Sequence, residues 1–261
     1  MSPSAAVRAA VSLAARHGVT CTDPVVLKNG SNVLVHLRPA PVVARIAART
    51  ALVRPSVSSH FARDLAVSAF LDARGVPVVT PSAELPAGPH VADGFVLSFS
   101  THVPHDPDLT LTRADVLELL PDLHAELRRY EGPLPTRGPL DDIDNTLAYL
   151  ERIGVDDLDP FRERRTELMA RWDAHYHDVQ PLHGDSHPGN LLMTATGPVW
   201  NDFEDTWRGP VAWDLACAAK TEAAQRTVEI YGGGAAPADV AFHVETRMLF
   251  GTLWAELIKN S

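Results

Sequence analysis

Asp185, Asn190 and Asp202 place two carboxylates and one amide within eighteen residues of one another. The first two lie in residues 183–190, a stretch with two glycines and a proline, and the third ends the hairpin that follows. A carboxylate in a rigid loop can orient a hydroxyl group and take its proton, and Mg²⁺ prefers oxygen ligands. Transfer of a phosphoryl group from ATP needs both functions. The spacing therefore predicts Asp185 as the catalytic base and Asn190 and Asp202 as magnesium ligands, whereas Asp185 alone would indicate only a turn.

The first hundred residues alternate short apolar runs with turn residues, a pattern typical of an antiparallel sheet. Strands are predicted over residues 25–27, 33–37, 42–47, 76–79 and 95–99. Helices are predicted over residues 5–17 and 60–73, and Ser58 or Ser59 is expected to cap the second one. A small sheet is thus complete near His102.

The remaining residues carry apolar side chains mainly at helical spacing. Helices are predicted over residues 112–130, 143–153, 161–175, 213–222 and 238–259, and strands over residues 191–193 and 199–201. Residues 105–108 are typical of a linker. We therefore expect an α+β protein with two lobes: a β-rich N-lobe over residues 1–102, which covers the nucleotide, and a larger, mainly helical C-lobe over residues 103–261.

The charge is distributed unevenly along the chain. Residues 1–102 contain 9 basic and 5 acidic side chains, whereas residues 103–261 contain 14 and 28. The first part suits a triphosphate and the second a cationic partner, although ordinary surface solubility explains the same numbers. Basic clusters with interleaved aromatic residues do not occur, which argues against binding to nucleic acid.

Cysteine content and hydropathy indicate a cytoplasmic protein. Cys21 and Cys217 lie far apart and lack the spacing of a redox pair, so two reduced thiols are expected. The sequence has no apolar run of about eighteen residues and no signal-peptide core near its first residue. We expect no association with a membrane.

Residues 183–192, with the sequence HGDSHPGNLL, resemble the HGDxHxxN catalytic loop of the aminoglycoside phosphotransferase and choline-kinase-like family. Residues 201–205, NDFED, are similar to the metal-binding segment of that family, and residues 209–216, GPVAWDLA, to its GxPxxDLA stretch. The resemblance implies a bilobal protein-kinase-like fold and an ATP-dependent small-molecule O-phosphotransferase. It also implies Mg²⁺, ATP or GTP as co-substrate, and a hydroxyl acceptor that the sequence does not identify.

The resemblance also implies roles for single residues. It makes Asp185 the base and Asn190 and Asp202 the magnesium ligands. His183 would anchor the loop and Asp214 would brace it through hydrogen bonds to its backbone. His187, Glu204 and Asp205 receive no defined role.

The N-lobe departs from the protein-kinase pattern of a β3 lysine paired with a helix glutamate. Here the matching strand carries Arg45 and the matching helix carries Asp64, which can still form a cation–carboxylate pair. Arg45 would neutralise the phosphates, and two surface charges are the simpler alternative. Lys28 and Ser31 lie where a phosphate-covering loop belongs, although an ordinary hairpin has the same composition.

Two other functions fit parts of the sequence. A kinase-like nucleotide-binding protein without catalysis would explain Arg45 and Asp64, but it would not need Asp185, Asn190 and Asp202 together. A metal-dependent phosphoesterase would use the same Asp, His and Asn types, but its ligands come from alternating β and α units that this sequence lacks.

Overall fold

The computed structural model describes residues 3–219 and 223–261. The chain forms two compact units. Unit 1 comprises Met1–Asp106 and Thr194–Glu204, and unit 2 comprises Pro107–Met193 and Asp205–Ser261. Unit 1 is therefore discontinuous in sequence and includes Asp202. The assignment of nucleotide covering to residues 1–102, and of catalysis and acceptor binding to residues 103–261, remains a prediction.

Unit 1 is built on an antiparallel sheet of five strands. Its elements are α1 (Pro3–Arg16), β1 (Cys21–Asn29), β2 (Asn32–Pro39), β3 (Val42–Ala47), α2 (Thr50–Val53), α3 (Val57–Asp72), β4 (His90–Ala92) and β5 (Phe95–Thr101). The strand order is β1-β2-β3-β5-β4. Helix α1 packs on the sheet, and the core between them contains Ala6, Ala10, Leu13, Val33, Val35, Leu37, Ala44, Ile46, Leu97 and Phe99.

The predicted strand over residues 76–79 is wrong. This segment makes only an isolated parallel bridge, in which Val79 N donates to Trp200 O and Trp200 N donates to Pro77 O. Pro77 has no N–H with which to continue a ladder. The sheet nevertheless has five strands, because β4, which was not predicted, is its remaining member.

Two further details of unit 1 differ from the expectations. Helix α3 begins at Val57 after the N-cap residue Ser56, so Ser58 and Ser59 lie inside the helix and are not its cap. The short helix α2 was not predicted.

Unit 2 is mainly helical, as predicted. Its helices are α4 (Arg113–Leu127), α5 (Pro139–Arg152), α6 (Asp159–Arg171), α7 (Val211–Ala219), α8 (Ala224–Tyr231) and α9 (Pro237–Lys259). Thr112 and Asp115 form a capping box at the start of α4, which continues through Pro121. Helix α9 packs against α5, α7 and α8.

Short strands flank the loop that carries the candidate catalytic residues. Strands β6 (Val179–Pro181) and β9 (Arg208–Pro210) pair antiparallel in unit 2. The chain passes from unit 2 to unit 1 along β7 (Leu191–Thr194), and β8 (Gly197–Trp200) follows in unit 1.

The helix predictions in unit 2 need several corrections, and the first is that α5 begins at Pro139 and not at residue 143. Helix α6 ends at Arg171, and a 3₁₀ turn over Trp172–His175 replaces its predicted last turn. The helix predicted over residues 213–222 extends from Val211 to Ala219, and residues 220–222 lie outside the described residues. Helix α8 was not predicted. Within the described ranges no helix is long and apolar enough to cross a membrane.

Candidate functional site

The loop that carries Asp185 is fixed to helix α7 through a buried carboxylate. Asp214 is fully buried; its Oδ1 accepts a hydrogen bond from Gly184 N (2.8 Å) and its Oδ2 one from His183 N (2.8 Å). The His124 ring of α4 places Nε2 2.9 Å from the same Oδ2. Buried carboxylates persist only when they are paired in this way. Asp214 thus braces the loop backbone, as the sequence resemblance implied.

Gly184 is required by its surroundings. Its φ angle is +89°, and a Cβ at this position would lie 1.9 Å from Asp205 O. Trp213 Nε1 donates to Gly184 O (2.8 Å), and Ser186 Oγ donates to Asp214 O (2.7 Å). The loop therefore turns sharply against two backbone segments, and only a residue without a side chain fits.

Asp185 and Asn190 are neighbours in unit 2. Asn190 Nδ2 donates to Asp185 O (2.8 Å) and lies 3.3 Å from Asp185 Oδ2. His187 accepts a hydrogen bond from Gly189 N at Nδ1 (3.0 Å), and its Nε2 is 3.4 Å from Asp185 Oδ2. The amide nitrogen of Asn190 thus holds the loop, and its oxygen is the atom that can coordinate a cation.

Asp185 forms an ion pair that the sequence analysis missed. Arg247 of α9 donates through Nη2 to Asp185 Oδ1. Burial alone would raise the pKa of Asp185, but the positive charge of Arg247 and the hydrogen bond from His187 outweigh it and lower this pKa to about 2. Burial lowers the pKa of Arg247, but the charges of Asp185 and the other nearby acidic groups together raise it by more, so the net pKa is higher than usual. The carboxylate of Asp185 is therefore ionised, and Arg247 holds its Oδ1 atom.

Asp202 lies in unit 1 in the left-handed backbone region, with a φ of +70°. Aspartate adopts this conformation more readily than most residues, and such positions concentrate at functional sites. Arg45 on β3 donates from Nη1 to Asp202 Oδ1 (2.5 Å) and to Glu204 Oε2 (2.8 Å). Burial lowers the pKa of Arg45, but the charge of Asp202 and the other nearby carboxylates raises it well above its usual value.

Glu204 is the centre of a buried polar network in unit 1. Arg54 donates to its Oε1 (3.0 Å), and Asn32 Nδ2 lies 3.1 and 3.2 Å from its two oxygens. Asp64 accepts a hydrogen bond from Phe203 N (2.8 Å), and its negative charge also contributes to the raised pKa of Arg45. These contacts involve Asp202, Phe203 N and Glu204, and they therefore fix the chain around residue 203.

Lys28 and Ser31 lie at the β1–β2 connection. Lys28 is an exposed residue of β1, Gly30 and Ser31 form the turn, and Ser31 O accepts a hydrogen bond from Thr50 N (3.2 Å). The loop between the two strands is shorter than predicted, because residues 28, 29 and 32 belong to the strands. A role for either residue with phosphate remains a prediction.

Asn190 and Asp202 remain the predicted magnesium ligands. In the described part of the chain, no three His, Cys, Asp or Glu side chains are grouped so that they could hold a metal ion. Asn190 and Asp202 supply hard oxygen donors, which suit Mg²⁺ and do not suit a thiolate- or imidazole-preferring metal.

Several residues of these two networks were not predicted, among them Arg247, Arg54, Arg63 and His124. None of them lies in a motif. Each is a single polar residue in a helix or directly after one, and its partner becomes apparent only from the folded chain.

Comparison with known proteins agrees with this architecture. The sequence model of the phosphotransferase enzyme family matches residues 8–243, which is most of the chain. No curated protein sequence matches the chain.

Solved structures of small-molecule kinases share the fold. Choline kinase LicA from Streptococcus pneumoniae is 12% identical, with a TM-score of 0.67 over 94% of this chain and 88% of that one. Aminoglycoside-3'-phosphotransferase of type VIII is 18% identical, with a TM-score of 0.62 over 92% and 98%. Amicoumacin kinase hAmiN, solved with AMP-PNP, Ca²⁺ and Ami, is 16% identical, with a TM-score of 0.62 over 97% and 79%. The predicted α+β, protein-kinase-like fold class is confirmed.

Proposed function

The chain belongs to the phosphotransferase enzyme family and is a kinase that acts on a hydroxyl group of a small molecule; from this premise we propose that its phosphate donor is ATP or GTP. Two of the similar structures support this donor, since one contains AMP-PNP and another is described as a complex of streptomycin and ATP. The second protein, an APH(2")-IIa, is 13% identical, so streptomycin is not proposed as the acceptor of this chain.

In this proposal Asp185 is the catalytic base. The observation that carries the assignment is the pair of hydrogen bonds from His183 N and Gly184 N to the buried Asp214. They fix the backbone directly before Asp185, and the ion pair with Arg247 holds its carboxylate. Phosphoryl transfer depends mainly on positioning and electrostatics, and an ionised, oriented carboxylate supplies both to the acceptor hydroxyl.

Asn190 and Asp202 are the proposed ligands of Mg²⁺. The ion would neutralise negative charge on the phosphates when it is bound. Asn190 is oriented for this by its own hydrogen bond to Asp185 O, and Asp202 by its left-handed backbone. Arg45, Asp64, Lys28 and Ser31 remain proposed nucleotide-binding residues, and Arg45 would have to exchange part of its contact with Asp202 for phosphate.

Substitution of Asp185 by Asn tests the assigned base. The asparagine keeps the size of the side chain and an oxygen for Arg247, but it cannot accept the hydroxyl proton. We expect Mg·ATP or Mg·GTP binding within about twofold of the parent protein and transfer reduced by about 10²–10⁴. Transfer is measured by release of nucleoside diphosphate over a panel of hydroxyl acceptors.

Two further variants separate the base from the metal site. Asp202→Ala should weaken the magnesium-dependent part of nucleotide affinity. Asp122→Asn, at an exposed position of α4, should change neither nucleotide affinity nor transfer. Parental transfer by the Asp185→Asn protein would show that the assigned base is wrong.

A further inference from the structure

Three polar side chains from three helices form a row of hydrogen bonds behind the loop that carries the candidate base. Tyr231 is the last residue of α8, and its hydroxyl lies 2.9 Å from Nδ1 of His124 on α4. The other ring nitrogen of His124, Nε2, lies 2.9 Å from Oδ2 of Asp214 on α7. Helix α8 packs against both α4 and α7. We name Tyr231, His124 and Asp214 the polar relay.

The hydrogen bonds of the polar relay run in one direction. Both oxygens of Asp214 accept a backbone hydrogen, so this carboxylate acts as an acceptor. Nε2 of His124 therefore carries the hydrogen between them, and in the neutral ring Nδ1 has the lone pair. The Tyr231 hydroxyl donates to that lone pair. Burial and the charge of Asp214 raise the pKa of Tyr231 by more than Arg128 lowers it, so the hydroxyl keeps its hydrogen.

The end of α8 holds Tyr231 in a defined place. Gly232 caps the helix with a left-handed backbone, and the N–H groups of Gly232 and Gly233 donate to Val228 O, at 3.2 and 2.9 Å. A glycine end of this kind closes the last helical turn. The ring of Tyr231 meets that of His124 edge to face, with centres 5.6 Å apart and planes inclined by 64°.

The Tyr231 hydroxyl matters because His124 is shielded from solvent. Only 1% of the His124 side chain is exposed. Without the hydroxyl, Nδ1 would be a buried acceptor that lacks a donor, and such a group costs more free energy than an ordinary hydrogen bond contributes. The ring can reduce that cost only by moving, and any movement changes its contact with Oδ2 of Asp214.

Asp214 connects the polar relay to the backbone of the loop. Its Oδ2 accepts from both His124 and His183 N, and its Oδ1 accepts from Gly184 N. Asp185 follows directly in the sequence. A change in how the imidazole holds the carboxylate therefore changes the backbone immediately before the candidate base.

We propose that Tyr231 is a positioning residue of the transfer reaction, which orients Asp185 through His124 and Asp214. Tyr231 acts through these two residues and not by contact with the reacting atoms. The inference rests on the proposed function, and it extends the site to α8, a helix outside the sequence motifs. Because phosphoryl transfer depends on geometry, a small displacement of the base slows the reaction and leaves nucleotide binding unchanged.

Tyr231→Phe tests the inference, because it removes only the hydroxyl. The matched control is Tyr176→Phe. Tyr176 is also a half-buried tyrosine of unit 2, but its hydroxyl donates to Thr136 O and Arg208 O, 3.2 and 3.1 Å away, and not to the polar relay.

The first readout is hydrogen exchange of the His183 and Gly184 amides, measured by NMR on the full-length protein without any ligand. In Tyr231→Phe both amides should exchange about tenfold faster than in the parent, whereas the amide of Leu215 in α7 should change by less than about threefold. Tyr176→Phe should leave the ratio of loop exchange to α7 exchange at the parental value. This readout does not depend on activity.

The second readout is transfer, followed as release of ADP from Mg·ATP with choline, kanamycin and water as acceptors. Tyr231→Phe should lower kcat about tenfold, while KM for Mg·ATP stays within about twofold of the parental value. Tyr176→Phe should change neither quantity. A hydroxyl with a purely structural role would lower stability and leave kcat unchanged.

A double variant shows whether the hydroxyl acts through His124. His124→Gln keeps an N–H donor for Asp214 but removes Nδ1, the atom that Tyr231 contacts. By itself it should accelerate exchange of the loop amides by a similar factor, and it decides the inference if Tyr231→Phe does not fold. Adding Tyr231→Phe to His124→Gln should change exchange and kcat by less than about twofold, because the two changes remove the same contact.

Each outcome decides one of the two proposals. Parental exchange of the loop amides in Tyr231→Phe would overturn the inference, and so would faster exchange with an unchanged kcat. A further tenfold loss in the double variant would show that the hydroxyl does not act through His124, which also overturns it. If the parent protein releases ADP with none of the three acceptors, this counts against the proposed function, and the exchange of the loop amides still supports or overturns the polar relay.

Discussion

Substitution of Asp214 by Asn should loosen the catalytic loop without changing the size of any side chain. The parent carboxylate accepts two backbone hydrogen bonds, from His183 N and Gly184 N, and contacts the ring of His124. An asparagine has one oxygen, so it can accept only one of the two backbone hydrogens. Its NH₂ group must then face the other backbone N–H, and two donors meet in a fully buried position.

The size of the effect follows from this geometry. One buried N–H without an acceptor costs about 1–3 kcal/mol, and hydrogen bonds to a charged acceptor are each stronger than neutral ones by about 1 kcal/mol. We therefore expect Asp214→Asn to lower the free energy of unfolding by about 2–4 kcal/mol. For a chain of this length each kcal/mol corresponds to about 2–4 °C in Tm. The loop that orients Asp185 should become mobile at the same time, so that transfer activity falls more than nucleotide binding does.

Asp239→Asn is the matched control. Asp239 is also buried, but its partners are the rings of His175 and His177, 2.8 and 2.6 Å away, whose side chains are 20% and 50% exposed. Water can replace the lost contacts there, so this variant should cost about half as much or less. Thermal melting and urea unfolding of both variants, with transfer assays, measure the difference. If Asp239→Asn costs as much as Asp214→Asn, or if Asp214→Asn leaves stability unchanged, the bracing argument is refuted.

Three other perturbations have defined outcomes. Gly184→Ala should lower the free energy of unfolding, measured in urea, by about 2–4 kcal/mol, because φ is positive and the new Cβ collides with a carbonyl oxygen. Gly232 also has a positive φ but faces open space, so Gly232→Ala should lower it by only about 1 kcal/mol. Burial lowers the pKa of His243 to about 4, so between pH of about 6.5 and 4 the unfolded chain binds a proton that the folded chain does not. Stability should therefore fall by about 3 kcal/mol as the pH falls through this window, and urea titrations of His243→Gln should show a flatter profile. Arg45→Gln should destabilise unit 1 by about 3 kcal/mol in thermal melting, because two carboxylates lose a common cation; unchanged melting would contradict the network described for unit 1.

The strands of unit 1 were predictable where local signals agreed. Strands β2, β3 and β5 combine β-branched residues with clear turns. Strand β4 has three residues, including the exposed Val91, and gives no periodic pattern. Its signal lies in the turn that follows: Asp93 and Gly94 both have positive φ, and Asp-Gly between two strands is typical of a tight hairpin. The segment over residues 76–79 shows the reverse case, since its valines indicate a strand but Pro77 interrupts the ladder.

The site was predictable to the extent that its chemistry lies in one stretch of sequence. The loop over residues 183–190 and the brace at Asp214 follow from motifs. The partners of the charged groups do not. Arg247 lies 62 residues after Asp185 on a helix whose pattern only requires a polar residue there. Arg54 follows the short helix α2, which no local signal indicates.

The type of these partners could nevertheless be inferred before their positions. A buried carboxylate must be paired, since an unpaired ion would lose its hydration without compensation. The chain contains twenty arginines and three lysines, so a permanently charged partner of such a carboxylate is expected to be an arginine and not a lysine. The guanidinium can contact two acceptors at once, and Arg45 does so with Asp202 and Glu204. A buried motif carboxylate in this chain therefore implies a partner from elsewhere in the sequence, which is an arginine for Asp185 and a histidine for Asp214. For Asp185 that arginine is Arg247, which no feature of the catalytic loop indicates.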